Sequence, residues 1–496
     1  MKRWFVAGQI AAVVGASLNA ESVPTKPNIL FVMVDDLSPK AVGYKAGFDF
    51  LKTPNVDRIA AEGAVFDHML VTTSLCSPSR ASMLTGTYAH THGVRYNETC
   101  DPDPALPTFS SRLQREGYRT ALIGKWHMAP GSDPRPGFDY WLSFEGQGEY
   151  FDPELNENGQ IYHAKGYMTD ILTEKTLRFI EETPEQPFCV CLWHKANHGP
   201  FKPAPRHVDA FPGILPSEPP TWSETMADKP YWMRRERTYR PHYKAWVESE
   251  GAPVPDKLPP KEWEGHPWVT EWADHLRCQL AVDESLGRIM DLLRKQGRLN
   301  DTIIIFTADN GFFLGEHRRG DKRLAYEESM HIPFCIRYPQ KIASGTSVQE
   351  LCASIDIAPT LLELAGAAVP DSMQGQSFLP LLEGRNVSWR DAFFYEYFQE
   401  EFAPGIPTML AVRTDRWKYI HYPYETTERG DIDELYDLEN DPVERHNLIA
   451  APEMRAVRME MQKKLKAAQH RYDYAEPPYR YEPLKTQHES FSDKIK

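Results

Sequence analysis

The sequence predicts an α/β protein with a large, mostly parallel sheet sandwiched by helices, followed by a smaller C-terminal α+β subdomain built on a short antiparallel sheet. Apolar runs of β-type composition alternate with stretches of helical periodicity, which indicates a parallel sheet. Several runs are apolar throughout, as is typical of strands that helices cover on both faces. The pattern changes near residue 369. Residues 413–422 and 434–438 are predicted strands of the short sheet, and residues 452–470 a predicted amphipathic helix.

The composition is that of a globular protein. Of the 496 residues, 41% are apolar and 25% are charged, which excludes a disordered, collagenous or polytopic membrane protein. The formal net charge is −14, so we expect no binding to nucleic acid through general charge attraction. An anionic substrate would have to be attracted by local cations.

The N-terminus has the pattern of an export signal. Lys2 and Arg3 precede an apolar run at residues 4–14, and small residues follow at 16–20. This order is typical of a secretory signal peptide, and the run is short for a membrane span. We therefore expect removal of residues 1–20, a secreted or periplasmic protein, and no stable membrane insertion after cleavage. An uncleaved anchor is the alternative.

Polar side chains follow four of the predicted strands. The strands at residues 28–34, 120–124, 188–193 and 302–306 lead into Asp35, Asp36, Lys125, His127, His194, His198, Asp309 and Asn310. In open α/β sheets, ligands bind beyond the carboxyl ends of the strands. The four segments therefore direct their polar groups toward one edge of the sheet.

Four of these residues are candidate metal ligands. Asp35, Asp36, Asp309 and Asn310 offer hard oxygen donors, which suit Ca²⁺ or Mg²⁺ better than a metal that prefers thiolates. Either pair alone could be a helix cap or a solvated turn. Two acidic pairs at the ends of buried strands favour a metal site, because repulsion among carboxylates is costly unless a cation neutralises it.

The most specific segment is residues 76–86, Cys-Ser-Pro-Ser-Arg-Ala-Ser-Met-Leu-Thr-Gly. Pro78 can occupy a first helical position, which would place Cys76 at a helix N-terminus, where backbone N–H groups favour an anion. Arg80 lies four residues on, on the same helical face. A lone cysteine is more often a small buried hydrophobic residue, and that is the alternative interpretation.

Residues 76–86 resemble the sulfatase signature, C-x-P-x-R followed by L-T-G. The similarity extends to residues 27–36, 117–127, 307–317 and 434–442, and covers nearly all of the chain between residues 27 and 448. The sequence is therefore similar to the type I, formylglycine-dependent sulfatases, whose fold is alkaline-phosphatase-like. The resemblance implies a sulfuric ester hydrolase in which a maturation enzyme converts Cys76 to formylglycine (3-oxoalanine).

The resemblance also implies roles for single residues. The modified Cys76 would join the four oxygen ligands around a metal, Ca²⁺ in preference to Mg²⁺. Its aldehyde hydrate would attack sulfur with one hydroxyl and later expel sulfate with the other. The other implied catalytic residues are Arg80, which holds the modified side chain, Lys125 and Lys322, which bind sulfate, His127, which supports the hydrate, and His198, which protonates the leaving oxygen.

Other roles are less specific. Lys322 lies in the cationic run 318–323, so a neighbouring residue could bind sulfate instead. His194 and Lys195 are candidate substrate contacts, although a histidine beside Trp193 could equally be a packed core residue. His331 is a third candidate contact, at a position where many relatives carry arginine.

The resemblance implies a catalytic domain over residues 25–368 and a C-terminal subdomain and tail over residues 369–496. Residues 200–272 are an insert: residues 200–267 hold 14 of the 41 prolines, and residues 222–272 hold six of the 12 tryptophans. Such a segment cannot be regular helix or central strand. We expect a surface insert with packed aromatic side chains; the alternative is a lid whose rings stack on sugars. A helix over residues 274–296 should follow.

The substrate class is predicted from the segment 136–159 together with residues 194–198. These most resemble sulfatases that remove 6-O-sulfate from N-acetylglucosamine in glycosaminoglycans or mucins. The alternatives are an iduronate-2-sulfatase or algal polysaccharide sulfatase, a phosphodiesterase or phosphonate monoester hydrolase of the same superfamily, and an inactive carbohydrate-binding relative. The negative net charge predicts weak long-range attraction of polyanions, and hence a pocket that binds one terminal sugar.

Overall fold

The computed structural model describes residues 26–217, 219–222, 224–235, 267–403, 405–424 and 432–475. The predicted signal peptide, residues 236–266 of the predicted insert and residues 476–496 lie outside the described residues. The strands are β1 (Asn28–Val34), β2 (Ala64–Phe66), β3 (Met69–Leu70), β4 (Arg119–Gly124), β5 (Tyr140–Ser143), β6 (Glu154–Glu157), β7 (Gln160–His163), β8 (Phe188–Trp193), β9 (Thr302–Ala308), β10 (Phe313–Leu314), β11 (Gly320–Asp321), β12 (Phe334–Arg337), β13 (Thr346–Val348), β14 (Cys352–Ala353), β15 (Phe393–Tyr397), β16 (Met409–Arg413), β17 (Trp417–His421) and β18 (Glu434–Asp437). The α-helices are α1 (Pro54–Glu62), α2 (Cys76–Thr85), α3 (Ala89–His92), α4 (Phe109–Arg115), α5 (Met168–Glu181), α6 (Tyr231–Arg235), α7 (Pro267–Lys295), α8 (Glu327–Met330), α9 (Ile357–Leu364), α10 (Leu379–Leu382) and α11 (Arg455–Arg471).

Ten strands form the large sheet, in the order β13-β2-β12-β9-β1-β8-β4-β5-β6-β7. The five central strands, from β9 to β5, are parallel to one another. Antiparallel pairs appear toward both edges, where β12 joins β9 and β6 joins β5. The predicted α/β fold with a mostly parallel sheet is confirmed, and the antiparallel edges make the sheet mixed.

The central strands are buried along their length and end in register. Every residue of β1, β8 and β9 is buried. Met33 pairs with Trp193, and Gly124 pairs with the same Trp193 from the other side. Gly124 has φ +123°, and a Cβ there would lie 1.9 Å from the carbonyl oxygen of Trp193, so only glycine fits where β4 ends.

Helices flank the sheet in two groups. On one side α7 packs against α1 and α5, and the carboxylate of Asp283 on α7 accepts hydrogen bonds from the backbone N–H groups of Asn55 and Val56 at the start of α1. In the other group α9 packs against α2 and α4. The Phe31 ring of β1 lies 6.1 Å from the Phe109 ring of α4.

The C-terminal part contains a four-stranded antiparallel sheet, β15-β16-β17-β18, with α11 packed against it. The predicted helix over residues 452–470 is confirmed to within a few residues. The strand predicted at 413–422 is confirmed over Trp417–His421, whereas residues 414–416 form the turn between β16 and β17. The Trp417 N–H donates to Thr414 Oγ1 at 2.9 Å, and the Thr414 N–H donates to the Trp417 carbonyl at 2.8 Å, closing the turn.

Helix α7 begins seven residues earlier than predicted. Pro267 is its first residue, a position that needs no intrahelical N–H donor. Trp222, Trp232 and Trp272 are buried, so the described tryptophan side chains of the predicted insert pack inside the protein. Within the ranges given above, no helix combines the length and apolarity that crossing a bilayer requires.

Candidate active site

Four of the central strands, β1, β4, β8 and β9, bring their terminal residues together through backbone hydrogen bonds. The Asp35 N–H donates to the Ala196 carbonyl at 2.8 Å, and the Asp309 N–H donates to the Val34 carbonyl at 3.0 Å. The Lys125 N–H donates to the Trp193 carbonyl at 2.8 Å. The segments after β1, β4, β8 and β9 therefore form one continuous rim, as the sequence predicts.

Three carboxylates and one amide meet at this rim. One oxygen each of Asp35, Asp36 and Asp309 lies within 4.8 Å of the other two. Asn310 Nδ2 donates to Asp36 Oδ1 at 2.7 Å, and Asp309 Oδ1 accepts from the Asp36 N–H at 3.1 Å. Asp36 Oδ2 and Asn310 Oδ1 are buried without a hydrogen-bond partner among the described residues. The four predicted metal ligands thus form one cluster, and its unpartnered oxygens fit a hard divalent cation.

Helix α2 presents Cys76 to the cluster. The helix begins at Cys76, which confirms Cys76 at a helix N-terminus, but Pro78 is the third helical residue and not the first. All ten residues of the helix are buried. Cys76 Sγ lies 3.4 Å from Asp35 Oδ1 and 3.1 Å from Lys322 Nζ. Burial, and next the negative charge of Asp35, raises the pKa of the thiol, so the unmodified cysteine is a poor nucleophile here.

Three cationic side chains surround these groups. Arg80 Nε and Nη2 donate to Asp309 Oδ2 at 3.1 and 2.8 Å, and Arg80 Nη1 donates to the Lys125 carbonyl at 2.8 Å. Lys125 Nζ donates to Asp35 and Lys322 Nζ donates to Asp36. All three cations are buried, and each contacts a carboxylate. Arg80 therefore positions Asp309 and the segment after β4.

The charges act on the carboxylates unequally. Burial alone would raise the pKa of Asp35, but the positive groups, led by Lys125, hold it well below its usual value. Burial, followed by repulsion from Asp35, raises the pKa of Asp309 to about 6. The two carboxylates differ because Asp35 is paired with Lys125, whereas Arg80 is the cation that chiefly lowers the pKa of Asp309.

Two histidines lie at the rim. His198 Nδ1 is 2.7 Å from the Gly199 carbonyl and Nε2 is 3.7 Å from Asp36 Oδ2. A carbonyl can only accept, so Nδ1 carries a proton and Nε2 faces the site. His127 Nε2 lies 3.1 Å from Gln147 Nε2, and its Nδ1 lies 3.5 Å from Ser77 Oγ. Burial lowers the pKa of both imidazoles well below the usual value.

The three candidate substrate contacts have different environments. His194 is fully buried with both ring nitrogens unpartnered among the described residues, and burial lowers its pKa to about 3. Lys195 Nζ lies 4.6 Å from the Tyr150 ring centroid, and burial, with Lys125, lowers its pKa to about 8. The structure does not bring His331 into the cluster: its ring lies 6.1 Å from that of His68.

Sequence reasoning missed Gln147, whose amide lies between Lys125 and His127. No family motif marks a single glutamine in a loop. The sequence nevertheless contains a signal, since a glycine lies on each side of Gln147. In the structure, both glycines have positive φ. Such a pair indicates a tight loop that holds one side chain out toward the site.

Comparisons with known proteins agree with this geometry. The family model described as "Sulfatase" matches residues 27–367, and that described as "N-sulphoglucosamine sulphohydrolase, C-terminal" matches residues 315–471. The chain is 34% identical to an N-acetylglucosamine-6-O-sulfatase of Bacteroides thetaiotaomicron, over 92% of this chain and 89% of the relative.

Two solved structures share the fold. The first is a protein in complex with its substrate D-glucosamine-2-N,6-O-disulfate. It is 32% identical to this chain with a TM-score of 0.81, and the match covers 91% of this chain and 99% of that protein's chain. The second is a phosphonate monoester hydrolase from Silicibacter pomeroyi, 23% identical with a TM-score of 0.73 over 90% of this chain and 96% of its own. The chain belongs to the sulfatase family and is an alkaline-phosphatase-like sulfuric ester hydrolase.

Proposed function

We propose that this sulfatase is exported, acts on carbohydrate sulfates and removes the 6-O-sulfate of N-acetylglucosamine through a formylglycine made from Cys76. The main support for this mechanism is the position of Cys76, which lies at the start of a buried helix and within 3.4 Å of both Asp35 and Lys322. Support for the substrate comes from the relative named as an N-acetylglucosamine-6-O-sulfatase and from the structure with bound glucosamine disulfate.

Asp35, Asp36, Asp309, Asn310 and the modified Cys76 would hold the metal, which we propose to be Ca²⁺. All four unmodified ligands are oxygen donors, and Asp36 and Asn310 each have one buried oxygen without a partner among the described residues. The metal would polarise the sulfate group and lower the pKa of a coordinated hydroxyl. Arg80 fixes Asp309 through two N–H groups and thereby keeps the ligands in place.

Once oxidised, Cys76 supplies a geminal diol in place of a thiol, with one hydroxyl to attack sulfur and a second to drive release. The helix N-terminus beneath it adds backbone N–H groups that favour negative charge. The proposed sulfate ligands are Lys125 and Lys322, whose ammonium groups contact Asp35 and Asp36 respectively. Their burial strengthens any electrostatic stabilisation of the reacting group.

We assign the general acid to His198. Its Nδ1–H is engaged by the Gly199 carbonyl, so Nε2 is the nitrogen that can hold a proton toward the leaving oxygen. His127 would orient the diol. Lys195 is the better supported substrate contact, because its buried ammonium lies within the electrostatic reach of Lys125 and Asp35. Since His194 is fully buried and both its ring nitrogens lack a hydrogen-bond partner among the described residues, we propose only a packing role for that histidine.

The test is desulfation of defined mono- and disaccharides sulfated at single positions, by protein whose Cys76 peptide is shown by mass spectrometry to be oxidised. We expect N-acetylglucosamine-6-sulfate to be hydrolysed fastest and Cys76→Ala protein to be inactive. A faster rate on iduronate-2-sulfate or on an aryl phosphate diester would contradict the proposed substrate. Full turnover by Cys76→Ala would contradict the nucleophile. N-terminal sequencing of protein recovered outside the cytoplasm tests export, with loss of residues 1–20 as the expected result.

A further inference from the structure

The loop that joins β5 to β6 places one polar side chain beside the proposed sulfate-binding residues. Gln147 lies between Gly146, with φ +59°, and Gly148, with φ +63°. A Cβ on Gly148 would lie 2.4 Å from the Phe144 ring, so a larger residue would push the loop away. The sequence Gly-Gln-Gly thus holds the glutamine in one position over the end of β4.

Gln147 contacts two buried residues of the rim. Lys125 Nζ donates to Gln147 Oε1 at 2.6 Å, and Gln147 Nε2 lies 3.1 Å from His127 Nε2. An ammonium group has no acceptor, so the carbonyl oxygen of the amide must face Lys125. The NH₂ group must then face His127. The amide orientation is therefore fixed by its two partners.

This orientation determines the tautomer of His127. Because the amide NH₂ can only donate, His127 Nε2 must accept, and the imidazole is neutral with its proton on Nδ1. That proton points toward Ser77 Oγ, 3.5 Å away. The Ser77 hydroxyl donates to the carbonyl of His127 itself, so its lone pairs remain free to accept. A chain of hydrogen bonds therefore runs from Lys125 through Gln147 and His127 to the residue that follows Cys76.

We propose that Gln147 is a positioning residue for sulfate ester hydrolysis, which holds the ammonium of Lys125 and the Nδ1–H tautomer of His127 in one arrangement. The proposal rests on the proposed function, since it presumes that these two residues act on the sulfate and the nucleophile. A carboxylate at this position would accept from both partners, and His127 would have to donate from Nε2. A methionine would leave both partners without a hydrogen bond.

The experiment compares wild type, Gln147→Met and Gln147→Glu, each with oxidised Cys76 and bound metal. We expect kcat/KM on N-acetylglucosamine-6-sulfate to fall about 10- to 100-fold in both variants, the usual range for residues that orient a site's own ligands. Gln186→Met is the matched control, because Gln186 also lies in a loop and donates to the Gly117 carbonyl at 2.9 Å, away from the cluster. It should keep wild-type activity, and thermal denaturation should show that all variants fold.

A second readout separates positioning from general structural damage. This readout is ¹⁵N NMR of protein labelled at its histidines, in which the His127 signals are assigned because they disappear in His127→Asn. The spectra should show an unprotonated His127 Nε2 in the wild type and a protonated His127 Nε2 in Gln147→Glu. Wild-type kcat/KM in Gln147→Met, or a proton on Nε2 in the wild type, would overturn the inference. If Cys76→Ala also keeps full activity, the proposed function fails; if Cys76→Ala is inactive while Gln147→Met is normal, only the inference fails.

Discussion

Replacing Lys322 by methionine tests the proposed sulfate-binding cation most directly. Methionine keeps most of the side-chain volume and removes the charge. Lys322 is 3% exposed, its ammonium contacts Asp36, and its Nζ lies 3.1 Å from Cys76 Sγ. The neighbouring cations are already engaged elsewhere: Arg323 donates to Glu400 at 2.5 Å, and Arg319 donates to the Met233 carbonyl at 3.0 Å.

The size of the effect follows from the burial of the ammonium. Two unit charges about 4 Å apart interact by about 4 kcal/mol at an effective dielectric constant near 20. Removing one donor from a preorganised site that stabilises developing charge costs about 3–4 kcal/mol, which corresponds to a loss of about 10²–10³ in rate. We therefore expect kcat/KM of Lys322→Met to fall by about 10²- to 10³-fold.

The assay is desulfation of N-acetylglucosamine-6-sulfate, corrected for the fraction of oxidised Cys76. Lys418→Met is the control for loss of a buried ion pair, because Lys418 is fully buried and lies 2.7 Å from Glu444. Both variants should lose stability, but only Lys322→Met should lose kcat/KM in the folded fraction. Retention of activity within about threefold by Lys322→Met, or a larger loss in Arg323→Met, would refute the assignment.

Three further predictions concern the metal ligands, the proposed acid and the strand end. The pKa of Asp309 is raised to about 6, so a proton competes with the metal for this carboxylate as the pH falls. Calorimetry should therefore show the Ca²⁺ affinity falling about tenfold from pH 7.5 to pH 5. An affinity that does not change with pH would contradict a ligand role for Asp309. His198→Asn should lower the rate of hydrolysis of sugar sulfates by about 10²- to 10⁴-fold. It should lower the rate on 4-nitrophenyl sulfate far less, because 4-nitrophenolate leaves without a proton. Equal losses of rate on both substrates would exclude His198 as the general acid. Thermal denaturation should show that Gly124→Ala destabilises the protein by about 1–3 kcal/mol more than Gly131→Ala. Gly131 is the control because it also has positive φ, but no atom lies within 4 Å of a Cβ added there. Similar losses of stability in the two variants would contradict the steric argument.

The cluster of carboxylates could be predicted from the sequence because its geometry follows from strand ends. Asp35 and Asp309 each come directly after a buried strand, and neighbouring parallel strands end at the same edge of the sheet. Helix α2 could be predicted for a similar reason, since Pro78 limits where a helix can begin.

Contacts between distant loops could not be predicted in this way. His331 follows a short helix, and its side chain lies near His68, a contact between residues 263 positions apart that no local pattern encodes. Gln147 contacts Lys125 and His127 through a loop whose path depends on two glycines. The turn after Arg413 was missed because its hydrogen bonds involve Thr414, whose β-branched side chain also suits a strand.

The complete burial of α2 would set an order of events for the proposed maturation of Cys76. Cys76 has no exposed surface, and neither has Arg80, four residues further along the recognition run. The enzyme proposed to oxidise Cys76 would need this stretch as an accessible peptide, so it would have to act before folding buries the helix. Under the proposed mechanism, the fraction of active molecules would then depend on the rate of oxidation relative to the rate of folding.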